Sequence, residues 1–451
     1  MNTRTISWTL IGRFTPLFKI FIFSTTLLTS SQIFAKEDVN TELVELKKQL
    51  KQLKEQQLQL EEKLEDIENT QSKAQAFPVV QSTVASNNDL LKIGLSGLFS
   101  SGYSSVNDEA LESLQGGGHD PNRNGFNVQN VELSVISTVD PYFDAQANII
   151  FLIDQEGETV VELEEAFFTS RALSAGLQVK GGQYYTEFGR FNPQHPHQWS
   201  FVDQPIVISR LFGGDGLRSQ GARVAWLMPT DWYSEIYFGA QNANGETVTS
   251  FLFEEGEDIA GHILGEKRAR SFNDALLSFR WLNSFDFSDN SSLNFGISGL
   301  SGPNSSGTNN DTSIYGVDAY FKWQPDYVQR GYPFVSWHTE WLTRRYEAGE
   351  NIEREILKDT GFFSQVLWGF QTGWELGLRF EKSDSNGDDI FDPFRNDRER
   401  ISTNLTWRLS EYSKLRLQYN RDWADHLEEN TADSLILQME FSLGSHMAHK
   451  F

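Results

Sequence analysis

The chain has 451 residues, a formal net charge of −24, 39% hydrophobic and 22% charged residues, and no cysteine. Lack of cysteine excludes disulfides, thiolate catalysis, Cys-ligated metals and a lipid anchor on an N-terminal cysteine, and the acidic balance argues against nucleic acid as a partner, because neutralising phosphates takes clustered Lys and Arg. A mean hydropathy of −0.44, with no apolar run of about 18 residues past the N-terminus, excludes a bundle of membrane helices but not membrane strands, which can be polar on their inner face.

Residues 1–35 read as an export signal peptide. Arg4, Arg13 and Lys19 give a positive flank, Ile20 to Leu28 an apolar core, and Ile33-Phe34-Ala35 a cleavage site. Residues 36–70 carry a heptad repeat. With Leu43 as position a, the a positions are Leu43, Leu50, Gln57 and Leu64, and the d positions are Leu46, Leu53, Leu60 and Ile67. This seam predicts a short coiled coil. Leucine at a does not favour a parallel dimer, so a homotrimer is the expected state, with Gln57 fixing register. A lone amphipathic helix lying on the protein is the alternative. About 30 helical residues span about 45 Å, a reach that permits contact with peptidoglycan. Residues 71–89, rich in Gln, Ser, Ala and Asn and holding Pro78, form a linker.

Residues 90–451 alternate with a period of two, which puts apolar side chains on one face of a strand and polar ones on the other. Tyr315, Val317, Ala319, Phe321 and Trp323 oppose Asp318, Tyr320 and Lys322. Val335, Trp337, Thr339 and Trp341 oppose Ser336, His338 and Glu340. Trp374, Leu376, Leu378 and Phe380 oppose Glu375, Arg379 and Glu381, and Ile401 to Leu409 continues the pattern. Leu435, Leu437, Met439, Phe441 and Leu443 form one face of the last strand. Beyond Leu443 the alternation breaks, which predicts a bulge or bend at Gly444. Other strands begin near 91, 126, 143, 160, 176, 220, 232, 274, 291, 361, 414 and 434.

The total is about sixteen, and roughly 22 residues per strand and connector suits tilted membrane strands. Pro229-Thr230-Asp231 and the stretch from Asn283-Ser284 to Asn290 look like turns, whereas 107–123, 188–218, 242–273 and 384–395 are long loops. The expected fold is an all-β, transmembrane antiparallel barrel of about sixteen strands behind an α-helical coiled coil. Sixteen strands leave an aqueous lumen. Phe and Trp, 34 and 12 residues, suit aromatic girdles in contact with outer-membrane lipid. In a soluble sandwich or propeller they would be core.

Within this layout, two segments are more specific. One runs His119-Asp120-Pro121-Asn122-Arg123-Asn124-Gly125-Phe126 through Val131-Glu132-Leu133 to Asp140-Pro141-Tyr142-Phe143. The other runs Gly182-Gln183-Tyr184-Tyr185-Thr186-Glu187-Phe188-Gly189-Arg190 through Asn192-Pro193-Gln194-His195-Pro196-His197 to Val202-Asp203-Gln204-Pro205. The chain resembles trimeric outer-membrane porins of the phosphate- and polyphosphate-selective O/P type. It is also similar to proteobacterial porin-like proteins labelled zinc-regulated TonB-dependent outer membrane receptors. The resemblance implies a Gram-negative outer-membrane location, a periplasmic coiled coil, and an assembly signal at Phe451 read by the barrel-assembly machinery. A TonB-dependent receptor has a plug domain and 22 strands, and the chain is too short for that.

Inward parity nominates Glu132, Asp144, Glu235, Arg280, Asp318, Lys322, Glu340, Glu375, Arg379, Glu381, Arg408 and Arg416 as pore-lining. Acids outnumber bases, so an anion filter is not supported and a weak cation preference is expected. Such charges can also satisfy one another. The loop 188–218, with Gly213-Gly214-Asp215-Gly216, is the candidate for folding inward as a constriction. His195 with His197, and His446 with His449, have spacings that can bring two imidazoles onto one zinc ion, and His119-Asp120 could add ligands. No other cofactor is expected. The chain lacks a Gly-x-Ser-x-Gly elbow and a His-Glu-x-x-His motif, so it is not expected to be an enzyme. The expected function is a porin for passive diffusion of ions or small solutes. A zinc-related receptor or transporter and a tether to the cell wall are the alternatives.

Overall fold

The computed structural model describes residues 91–153, 157–253, 255–265, 271, 274–350, 354–386 and 392–444. The export signal, the seam from Leu43 to Ile67, the linker, His446, His449 and Phe451 lie outside the described residues.

Sixteen antiparallel strands form a closed barrel in which each pairs with its chain neighbours and the last with the first. They are β1 (Leu91–Ser104), β2 (Gly125–Thr138), β3 (Phe143–Ile153), β4 (Thr159–Ser170), β5 (Leu177–Tyr185), β6 (Arg218–Leu227), β7 (Tyr233–Asn242) and β8 (Ala275–Ser288). The ring continues with β9 (Ser291–Pro303), β10 (Asp311–Trp323), β11 (Phe334–Ala348), β12 (Glu355–Gln371), β13 (Trp374–Ser385), β14 (Arg398–Ser410), β15 (Ser413–Ala424) and β16 (Thr431–Gly444). Closure leaves no sheet edge, so every strand can satisfy its backbone groups within the ring.

The period-two pattern sets which face points out. Leu376, Leu405, Leu417 and Leu437 are aligned across β13 to β16. They are 40–49% exposed. Their inward neighbours Arg379, Asn404, Gln418 and Gln438 are buried. Towards the short-turn end of the strands Trp374 stacks on Trp407 with ring centroids 5.5 Å apart. Such an outer surface is unfavourable in water and favourable in lipid. The seam runs from Gly94 opposite Gly444 to Ser104 opposite Ser434. Gly444 takes a φ of 76°, at the position where the alternation breaks.

Connectors at one end are mostly short, such as 139–142, 289–290, 372–373 and 411–412, whereas 105–124, 186–217, 243–274 and 386–397 lie at the other. The turn expected from Asn283 to Asn290 is shorter than that stretch. Asn283 and Ser284 belong to β8, which runs on to Ser288, and the turn is only 289–290. Phe285 and Phe287 keep outward parity through this polar stretch and extend the strand.

The inner wall is also less uniformly wet than alternation implies. Leu276, Leu300, Ile314, Leu342 and Phe363 point inward and are buried in one apolar cluster. They are covered by two long connectors. One contributes Val248, Phe251 and Leu252, and the other contributes Phe188, Phe191, Trp199 and the helix α2 (Ile206–Phe212). A second helix of the same length, α1 (Asp108–Leu114), is capped by Asn107, whose side chain accepts from the Ala110 amide.

Candidate functional site

Residues 186–217 leave β5 and return at β6 after crossing the lumen. They reach β13, eight strands away in a ring of sixteen and therefore on the opposite wall. The neck of this strap is closed by Asn192. Its side chain donates to the carbonyls of Thr186 and Leu217 and accepts from the Leu217 amide at 2.8 Å. Glu340 on β11 then accepts from the Arg190 and Phe191 amides, each at 2.7 Å. Gly189 makes this turn at φ 59°, and a Cβ there would meet the Glu340 carboxylate at 2.1 Å, so only glycine fits.

On the far wall Asp203 is the hub, fully buried. Arg379 donates to Oδ1 and Arg400 to Oδ2, the latter at 3.0 Å, and Gln418 and Asn420 add bonds at 2.9 and 2.8 Å. Burial alone would raise the Asp203 carboxyl, but the two guanidinium groups hold it down at about 2. Next to it, Gln418 accepts from the Val202 amide, Asn404 donates to the Ser200 carbonyl and Arg416 to the Trp199 carbonyl. Glu381 accepts from the Ile206 amide at the start of α2. The strap thus exchanges its backbone solvation for wall side chains, as burial of amides requires. Val207 packs where β12 carries Gly361, and Phe188 where β10 carries Gly316. A Cβ at those glycines would come within 2.7 and 2.8 Å of the two side chains.

A second connector, 105–124, locks onto the strap. Arg398 and Arg400 both donate to the Leu114 carbonyl at the end of α1, where the helix presents unpaired carbonyls. Gly118 donates to the Gly214 carbonyl, and Asp120 accepts from the Gln204 and Gly117 amides at 2.8 and 3.0 Å. Burial, and then the nearby Asp203 charge, push the Asp120 carboxyl up to about 7, against the opposing pull of Arg400. A group raised in the folded state stabilises fully below its ordinary value of 3.8, and that contribution is lost as pH rises through 7. Thermal stability measured in detergent is expected to fall between about pH 4 and 7, and Asp120→Asn is expected to flatten that fall. An unchanged slope in the variant would assign the pH dependence to other groups.

The near wall holds a cluster of acids and imidazoles. β3 and β4 lose register between Asn148 and Ile149, which leaves Glu164 as an extra residue on β4. This bulge turns Glu164 and Glu165 to the same side, and both are buried. His195 Nε2 is 2.9 Å from Glu165 Oε2, and its Nδ1 is 2.7 Å from Glu164 Oε2 and 3.6 Å from Glu132 Oε2. His197 Nδ1 lies 2.9 Å from the same Glu132 oxygen. The two rings stack with centroids 5.6 Å apart. Burial would lower the His195 proton affinity, but the charges of Glu164 and Glu132 outweigh it and raise it well above the usual value.

All the pore-lining candidates have inward parity, and most face opposite charges. Arg280 forms a two-pronged pair with Asp318 at 2.8 and 3.0 Å. Arg379 lies 2.7 Å from Glu381 as well as against Asp203, and Arg408 is 2.6 Å from Glu375. Glu132 and Glu340 are taken by the strap. Asp144 is 3.5 Å from Arg171, Glu235 accepts from the hydroxyls of Tyr233 and Tyr237, and Arg416 donates to Gln438. Lys322 lies beside Arg190 on the half-buried part of the wall. His119 is buried against the Gln129 carbonyl, 3.9 Å from Asp215, apart from the other histidines. Sequence reasoning missed Asp203, Glu164, Glu165, Arg398 and Arg400 as site residues.

The fold and this interior define a sixteen-stranded barrel of the porin type, with an inward strap. It is similar to the outer membrane channel DcaP of Acinetobacter baumannii, with a TM-score of 0.52 and 10% identity over 80% of this chain and 100% of that one. It is also similar to OprB of Pseudomonas putida, with a TM-score of 0.50 and 11% identity over 78% of this chain and 94% of that one. No protein-family model matches the sequence. The chain is 32% identical over 361 residues to an uncharacterized protein of Aquifex aeolicus (strain VF5), covering 74% of this chain and 73% of that one, and belongs to its family.

Proposed function

We propose that this protein is a passive outer-membrane channel through which ions or small solutes diffuse, with no chemistry at the site. The observation that carries this is the closed ring, apolar outside and charged inside. Its likeness in fold to a structure described as an outer membrane channel supports the same reading. The strap is the constriction. Inward cations stand against carboxylates rather than in an open basic ladder. The reading is therefore a weakly selective pore, with the mild cation preference that the acid excess favours, rather than a phosphate filter. The leucine seam of residues 43–67 would join three chains.

Single-channel recording in a planar bilayer under a salt gradient tests this. Stable openings that close in three equal steps, with a small reversal potential on the cation side, are expected. Folded, inserted protein that carries no current would overturn the channel reading, and a single closing step would overturn the trimer.

A further inference from the structure

We propose that the cluster joining the strap to β2 and β4 is a binding site for one divalent transition ion of the Zn²⁺ class. The ligand atoms are Glu132 Oε2, Glu164 Oε2 and His195 Nδ1, which lie within 4.8 Å of one another. His197 Nδ1 meets the same Glu132 oxygen at 2.9 Å from outside this group. Three protein donors, each drawn to about 2.0–2.2 Å from the ion, leave the fourth position of a tetrahedral site to water.

Three features favour an ion here. First, His195 Nδ1 and Glu164 Oε2 are both buried and lie 2.7 Å apart with Glu132 Oε2 at 3.6 Å from the same nitrogen, so three donor atoms converge on one space. Second, the other atom of three ligands is already held. Glu132 Oε1 accepts from Ser134 at 2.8 Å and from Asn148. Glu164 Oε1 accepts from the Tyr185 hydroxyl at 2.6 Å, and His195 Nε2 faces Glu165 at 2.9 Å. A carboxylate behind a ligating imidazole fixes the ring and raises its donor strength. Third, three buried carboxylates meet two imidazoles. A bound divalent ion would offset the carboxylate charge in place of the imidazolium of His195, whose two nitrogens lie between Glu164 and Glu165. Arg218 is committed nearby to Glu162 at 2.7 Å. Imidazole with carboxylate and no thiolate suits a borderline divalent ion.

The ion would fasten the strap to the wall opposite Asp203, so occupancy would set how firmly the constriction is held. The test uses the full chain in detergent, stripped with chelator and titrated with Zn²⁺ alone by calorimetry, with Co²⁺ absorption as a second readout. One Zn²⁺ per chain and a visible Co²⁺ band of tetrahedral type are expected. Glu164→Gln and His195→Gln should each lower the affinity at least about tenfold, as should Tyr185→Phe, which frees Glu164 Oε1 but keeps the ring. His262→Gln, at an exposed pair with Glu355, should leave it unchanged. Folding of each variant is checked by its heat-modifiable gel mobility. Folded wild type that takes up no ion overturns the proposal. So does uptake that is equal in the folded Glu164, His195 and Tyr185 variants, because the ion would then sit elsewhere.

Discussion

Asp203→Ala is expected to destabilise the protein by about 3–5 kcal/mol, the usual result of removing one partner of a buried charge pair. Arg379 and Arg400 are each 1% exposed, so water cannot replace the lost carboxylate. Arg400 would keep Asp422 at 2.8 Å, and Arg379 would keep only Glu381 among nearby carboxylates. The variant also deletes the acceptor that Gln418 and Asn420 share. The sign with pH is fixed by the depressed carboxyl. Its contribution is present above the ordinary value of 3.8 and is lost as pH falls through about 2, so the full effect appears at neutral pH. The expected result is a lower unfolding temperature together with new protease cleavage within 186–217. On the channel reading, conductance rises as the strap leaves the far wall. Asp203→Asn keeps the shape and should lie between. Unchanged melting in Asp203→Ala would mean that the apolar cluster around α2 holds the strap without the hub.

The strand pattern was legible because a lipid-facing ring enforces parity on every strand. Lumen-facing positions must be anything but uniformly apolar, and lipid-facing ones must be apolar. That is why the starts near 126, 143, 232 and 291 fall within a residue or two of the strands. The site was less legible for three physical reasons. The bulge at Glu164 breaks parity locally, and a strict alternation places one of Glu164 and Glu165 towards lipid. Two adjacent acids inside a membrane strand were in fact the available signal, since one of them would have been costly there. Leu276, Leu300, Ile314, Leu342 and Phe363 follow inward parity yet are apolar. An apolar residue on both faces reads as weak alternation, not as a platform for a strap. Asp203 sits in a connector with no periodicity, and its partners come from 176 to 217 residues further along the chain. No local pattern carries that information. The Phe, Trp and Pro content of the loop suits packing against the inner wall but equally a trimer contact outside the barrel, so the sequence left both placements open.

The second large effect separates lipid from water as the solvent of the outer face. Leu417 sits in the middle of the aligned leucines of β13 to β16 and is 45% exposed. In a soluble barrel an arginine there would reach water, and the change would fall within about ±0.5 kcal/mol, as for most surface substitutions. In a bilayer the same arginine is expected to cost about 2–4 kcal/mol near the midplane. Tyr412, exposed in the short turn between β14 and β15, is the internal control. Arginine there lies near the interface and should cost about 0–1 kcal/mol. Both variants would be folded into lipid vesicles and titrated with urea beside the wild type. A Leu417→Arg midpoint well below that of Tyr412→Arg establishes a depth-dependent apolar environment around the barrel. Equal midpoints would place the leucine row in water, and the porin reading would fall with it, since the period-two pattern would then mark an association surface instead.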